Sequence, residues 1–139
     1  MSALEQFLLS GEFEDQQQEI EVRLSDRFKF PFKVRALTQE ENKTIRKSCQ
    51  RTTIDKKTRQ KVTETDTDLY TDRLMVASTV DPNFKSAELQ ERFGVRDGKA
   101  ESLLGVMLRS GEYTALMDAV MEVNGYKDDV NDLIEEAKN

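Results

Sequence analysis

The sequence predicts an α+β protein: a short N-terminal helix and antiparallel β-hairpins in the first half, then a wholly helical second half of four to five helices. Three observations predict it. Residues 19–24, Glu-Ile-Glu-Val-Arg-Leu, alternate polar and apolar without a break, which is the period of a strand with one buried face. Residues 28–36 repeat the alternation, with Phe28, Phe30, Phe32 and Val34 on one side and Lys29, Lys33 and Arg35 on the other. Beyond residue 65 the period changes, and apolar residues recur three or four apart in runs separated by helix-ending signals.

Each element of the first half follows from local chemistry. Leu4, Phe7 and Leu8 fall on one face of a helix over residues 3–9, ended by Ser10 and Gly11. Residues 12–19 are polar and Gln-rich and read as a linker. The two alternating runs form a hairpin around a turn at Ser25 and Asp26. Pro31 gives no N–H to a ladder, so the second run belongs at a sheet edge or carries a bulge. Thr38 and Glu41 have capping-box spacing and open a helix over 39–50, whose inner face is thin: Ile45, Cys49 and the stem of Asn42 or Lys43. Residues 52–63 carry β-branched residues around a polar centre and read as a mobile hairpin, although no Asn-Gly or Asp-Gly marks its turn.

In the second half Asp66 or Thr67 caps a helix over 68–80, with Tyr70, Leu74, Ala77 and Val80 on one face, widened by Met75 and Val76. Asp81, Pro82 and Asn83 stop it. A short helix over 86–94 closes on Gly94. A helix over 99–108 presents Ala100, Leu103, Leu104, Met107 and Leu108. Ser110, Gly111 and Glu112 link it to a helix over 113–123, whose stripe is Tyr113, Leu116, Met117, Val120 and Val123, and which Asn124 and Gly125 end. A last helix over 128–137 turns Val130, Leu133, Ile134 and Ala137 inward. The 139 residues suit one domain, β-containing over about 1–64 and helical over about 65–139.

Composition narrows the chemistry. There is no His and one Cys, so a Ser-His-Asp triad, a Cys-His pair, an imidazole metal site, an internal disulfide and a thiolate zinc site are all excluded. The first nine residues lack the basic and apolar regions of a secretory signal, and no run approaches the ~20 apolar residues that span a bilayer. Lys and Arg number 21 against 27 Asp and Glu, a net charge of −6 that favours solubility. The charge is segregated. Residues 43–61 hold eight cations (Lys43, Arg46, Lys47, Arg51, Lys56, Lys57, Arg59 and Lys61) against Asp55 alone, leaving −13 on the rest. Residues 110–139 hold eight acids and two lysines.

No motif names a reaction, and no enzymatic activity is expected. Gly94 to Ala100 lacks the phosphate-loop spacing and the Ser or Thr after Lys99. Glu64, Asp66, Asp68 and Asp72 lack the residues of a calcium loop, as do Asp128, Asp129 and Asp132; these acids suit helix N-termini. No cofactor and no metal are expected. Cys49, near Lys47 and Arg51, reads as a small apolar residue of the inner face. The basic stretch is either a solvated face, a dock for an acidic protein surface, or a phosphate contact without aromatic residues for base stacking. Methionine adapts to irregular partners. Of Met75, Met107, Met117 and Met121, most belong to the core. Met121, with Tyr113 and Met117 beside it, is the candidate exposed contact, and Lys56, Lys57 and Arg59 are the candidates on the basic hairpin.

The order of short segments carries a resemblance over essentially the whole chain. It comprises the Leu/Phe helix, the strand pair, the helix opening Thr38-Gln39-Glu40-Glu41, then Asp81-Pro82-Asn83-Phe84, Glu88-Leu89-Gln90, Phe93-Gly94-Val95, Leu108-Arg109-Ser110-Gly111-Glu112-Tyr113, Val123-Asn124-Gly125-Tyr126 and Glu136-Ala137-Lys138-Asn139. This pattern resembles the XkdN-like phage tail assembly chaperones of Gram-positive phages and defective prophages. The resemblance implies a non-enzymatic helper in the bacterial host cytoplasm. It would bind the tape measure protein, a long helical chain with apolar faces, keep it soluble until tail tube subunits polymerise around it, and be absent from the finished virion. It implies no small-molecule substrate, nucleic acid or membrane as partner. Related genes also make longer, frameshifted products, beside which a chain ending at Asn139 would be the short form. Two alternatives stay open: a structural or connector protein retained in the particle, and a nucleic-acid-associated regulator using residues 43–61.

Overall fold

The computed structural model describes residues 2–9 and 18–126. Its elements in chain order are α1 (Ala3–Leu9), β1 (Glu19–Val22), β2 (Phe32–Arg35), α2 (Gln39–Ser48), β3 (Gln50–Ile54), β4 (Lys61–Thr65), α3 (Thr67–Ser78), β5 (Thr79–Asp81), α4 (Ala87–Arg92), α5 (Ala100–Met107) and α6 (Ser110–Val123). The architecture is α+β, with the short N-terminal helix, antiparallel strands and a predominantly helical second half. The expected linker over 12–19 lies outside the described residues up to residue 17, and its last residue, Glu19, is instead the first of β1; the expected helix over 128–137 lies outside the described residues.

Alternation places β1 and β2 as expected. They pair antiparallel, Glu19 opposite Arg35 and Val22 opposite Phe32. Phe32 and Val34 are fully buried, and Ile20 and Val22 pack against them at half burial. The second strand is shorter than residues 28–36, however. Pro31 fixes φ and offers no donor, so the ladder starts only at Phe32. Phe28 is buried, but Phe30 is 49% exposed and lays its ring parallel on that of Phe32, centroids 5.9 Å apart.

One strand comes from the helical half. The chain leaves α3 at Ser78, and β5 pairs antiparallel with β2, giving the sheet order β1-β2-β5. Asp81 precedes Pro82 and is disfavoured in helical backbone, and Thr79 and Val80 are β-branched. Thr79 Oγ1 donates to the Met75 carbonyl at 2.7 Å, so the side chain satisfies a carbonyl at the helix end. Strand geometry also turns Val80 outward to 40% exposure, in place of the buried position expected for it on a longer helix.

The helices close over this sheet. α6 packs on β1, β2 and α3, and α3 also packs on α2 and α5. Phe84, Leu103, Leu104, Met107, Leu116 and Val120 form the core with Phe32, Val34 and Met75. α3 faces that core with Met75 and Val76, while Tyr70, Leu74 and Ala77 stay half-buried at its margin. The capping box of α2 is present, Thr38 Oγ1 accepting from Glu41 N at 3.2 Å and Glu41 Oε1 from Thr38 N at 3.2 Å. Asp66 caps α3 through Leu69 N at 3.1 Å. Gly94, at φ 73°, closes α4 in the left-handed region that favours glycine.

The corner between α5 and α6 departs from expectation. Ser110, Gly111 and Glu112 are the first turn of α6, not a link. Glu112 is 3% exposed and accepts four hydrogen bonds: from Arg27 Nη2 at 2.5 Å and Nε at 3.1 Å, Ser25 Oγ at 2.5 Å and Arg109 N at 2.7 Å. Arg27 Nη2 also donates to the Met107 carbonyl at 2.6 Å, at the end of α5. These donors, Arg27 first, hold the Glu112 carboxyl down at about 2 against the opposing effect of burial. A carboxyl depressed in the folded state stabilises fully above its unfolded pKa, near 4.5, and loses that contribution as pH falls towards 2. Glu112→Gln is therefore expected to cost about 1.5–3 kcal/mol at pH 7. Its deficit relative to the parent chain narrows as the pH is lowered from 5 towards 2. Urea denaturation at pH 7 and pH 3 checks this, and an equal deficit at both would show that the carboxylate is not held by these donors.

Candidate partner-binding surfaces

The α6 stripe is more structural than expected. Tyr113, Met117 and Met121 do lie four residues apart on one face, and all three are half-buried. Tyr113 and Met117 pack against the core cluster. The Tyr113 hydroxyl donates to Asp72 Oδ1 at 2.7 Å, tying α6 to α3, and its pKa is raised first by burial and then by that carboxylate. Of the helical methionines, Met75 and Met107 are buried. That leaves Met121 as the member of the stripe not packed into the core cluster.

The hairpin expected over residues 52–63 forms and runs longer, over 50–65, Gln50 opposite Thr65 and Ile54 opposite Lys61, taking Gln50 from the end of the helix expected to reach it. Both its faces are solvent-exposed up to Glu64, with Ile54 66% and Val62 38% exposed. Its turn is organised by Asp55, whose carboxylate accepts from Lys57 N at 2.8 Å and whose carbonyl accepts from Arg59 N at 2.7 Å. Arg59 takes the left-handed conformation, φ 57°, that a glycine or asparagine would otherwise supply. Lys56, Lys57 and Arg59 are thus gathered at one exposed tip, on a different element from the α6 stripe.

The structure adds a surface that the candidate list lacks. No residue of α1 is buried, and Leu4, Leu8 and Leu9 are 67%, 73% and 77% exposed. Phe7 lies on the same face, 59% exposed. Its amphipathic spacing is plain in the sequence, but spacing alone does not say whether an apolar face meets the core of its own chain.

The remaining polar candidates serve the fold. Asp66 caps α3 and Asp72 accepts from Tyr113. Asp97, in the segment first compared with a phosphate loop, accepts from Lys99 N at 2.9 Å and Ser102 Oγ at 2.6 Å and so starts α5. Cys49 is buried at the end of α2. Among the described residues no three His, Cys, Asp or Glu side chains converge on a point that could hold a metal, and no helix is long and apolar enough to cross a membrane.

A small α+β body with Glu41, Asp66, Glu101 and Glu112 committed to caps and ion pairs, and with an apolar helix and a cationic hairpin exposed outside its core, has the form of a protein-binding module. The chain belongs to the phage XkdN-like tail assembly chaperone family, whose model matches residues 4–138. It is 36% identical over 128 residues to the uncharacterized protein YqbN of Bacillus subtilis strain 168, covering 88% of this chain and 85% of that one. It is 33% identical over 129 residues to the phage-like element PBSX protein XkdN of the same strain, again over 88% and 85%. The crystal structure of the protein yqbn superposes with a TM-score of 0.66 at 27% identity, covering 86% of this chain and 93% of that one.

If Tyr113 is an internal tie, Tyr113→Phe lowers stability by about 1 kcal/mol through loss of the bond to Asp72. Replacing Lys56, Lys57 and Arg59 together by Ala leaves stability within about 0.5 kcal/mol. Urea titration of the two variants checks this, and comparable losses in both would mean that the hairpin tip supports the fold.

Proposed function

We propose that this chain is a non-enzymatic chaperone that binds the tape measure protein in the host cytoplasm, keeps it soluble while the tail tube assembles around it, and leaves before the particle is complete. Family membership supports a role in tail assembly through protein partners. The observation that carries the choice of a long, apolar-faced helical client is α1. Its leucines are 67–77% exposed, and a seven-residue helix is too short to be stable in water alone. A client helix with an apolar face would bury Leu4, Leu8 and Leu9 and complete α1 at the same time. Met121 and the exposed flank of α6 offer an adaptable second contact.

Co-expression with the tape measure protein of the same locus, followed by size-exclusion chromatography, tests the proposal. The client is expected to be soluble only with this chain and to co-elute with it. Leu4→Glu/Leu8→Glu is expected to abolish co-elution while leaving the thermal midpoint unchanged, because neither side chain is buried. Client solubility that does not depend on the parent chain would overturn the proposal. Co-elution that survives the double substitution would remove α1 from it.

A further inference from the structure

We infer that the hairpin β3–β4 is a docking arm for an acidic segment of a protein partner. This goes beyond the chaperone proposal and does not depend on which client the body holds.

Three observations carry it. First, all eight cations of residues 43–61 are solvent-exposed. Among the described residues only Arg51 has a carboxylate within 4 Å, Asp66 at 3.9 Å. Arg46 lies over the Tyr70 ring at 5.5 Å. Three cations outside the stretch are paired closely: Arg27 with Glu112, Arg35 with Glu41 and Arg73 with Glu101, all at 2.9 Å or less. Second, the one acid inside the stretch, Asp55, turns its carboxylate to the backbone N–H of Lys57, and among the described residues no carboxylate lies within 4 Å of the charged ends of Lys56, Lys57 and Arg59. Third, the arm contributes nothing to the core, and its packing is almost wholly strand against strand. A two-stranded ribbon alone is marginally stable in water, so a partner that covers it stabilises it.

Charge selects the occupant. A second copy of the arm would set seven excess positive charges against seven and is repelled. Nucleic acid is disfavoured because the stretch has no aromatic side chain for base stacking, and membership of a tail assembly chaperone family points to protein partners. An acidic protein segment needs no stacking: its carboxylates pair directly with Lys56, Lys57, Arg59 and Lys61 at the tip, at short range, where these cations outweigh the charge on the rest of the chain. Such surfaces steer association and set its salt dependence.

Fluorescence anisotropy of the full chain tests it with two labelled probes, a 20-residue poly-glutamate peptide and a 20-base-pair DNA duplex, at 50 mM and 300 mM salt. The peptide is expected to bind more tightly than the duplex, to weaken on adding salt as the Debye length shrinks, and to lose about tenfold or more in affinity with Lys56→Glu/Lys57→Glu/Arg59→Glu. The variant's thermal midpoint, read alongside, is expected to match the parent, since the three side chains are exposed and make no ion pair among the described residues. No binding of the peptide at 50 mM salt, equal binding by the variant, or tighter binding of the duplex would each overturn the inference.

Discussion

The carboxylate of Glu112 is the interaction on which the arrangement of this fold depends. A nearly buried charge is costly unless each of its lone pairs meets a donor. The donors come from separate places in the chain: Ser25 and Arg27 in the turn of the β1–β2 hairpin, and the Arg109 N–H at the start of α6. Arg27 then reaches the last turn of α5. Apolar contacts between sheet and helices are forgiving of small rotations and slides; four converging hydrogen bonds are not. The hairpin turn is therefore pinned to the α5–α6 corner, which sets how α6 lies across β1 and β2. Asn124 does the same at the other end of α6, accepting from Leu37 N at 2.7 Å and donating to the Val120 carbonyl at 2.7 Å. With both ends fixed, Leu116, Ala119, Val120 and Val123 have one way to meet the sheet.

Pinning the body in this way frees its appendages from structural duty. α1 and the β3–β4 hairpin add no residue to the core. Each is of a kind that is marginal alone: a helix of two turns and a two-stranded ribbon. The two differ in chemistry, one a stripe of leucines and the other a cluster of cations. Their sequences can therefore change to suit partners without disturbing the sheet or the helices that cover it, and each can be altered separately.

How much of this was legible in the sequence depends on whether the cause was local. Period-two alternation located β1 and the buried positions of β2, and period-three-to-four spacing located α3, α5 and α6. Thr38 with Glu41, and Gly94, gave their helix ends correctly because capping is settled within a few residues. The failures have non-local or competing causes. Ser110 and Gly111 look like a link, and only the donors from Ser25 and Arg27, more than eighty residues away, make Glu112 the anchor of a helix. Thr79 to Asp81 continue a helical stripe, but the approach to Pro82 and the open edge of β2 draw them into the sheet. Tyr113 and Met117, on the apolar stripe of α6, pack against the core, and what spacing could not show is that Asp72 on α3 receives the Tyr113 hydroxyl. The leucines of α1 show the reverse: a face that spacing would assign to the core of the chain and that the fold leaves outside it.

The size of that exposed face bears on how a chaperone of this kind would act. Burying Leu4, Leu8 and Leu9 yields roughly 1.5–3 kcal/mol each. Association and the ordering of α1 together cost an amount of the same order, about 4–15 kcal/mol. One copy would thus hold an apolar client weakly by α1 alone. Weak, repeated contact suits an assembly factor. Many copies along a long client would cover its apolar stripe collectively, and each would remain replaceable by a tube subunit that buries more surface on the same stripe. A tighter single contact would keep the client soluble equally well but would resist the displacement that assembly requires. Long-range attraction through the cationic arm is compatible with this, because exposed charges raise the rate of encounter more than they lengthen residence.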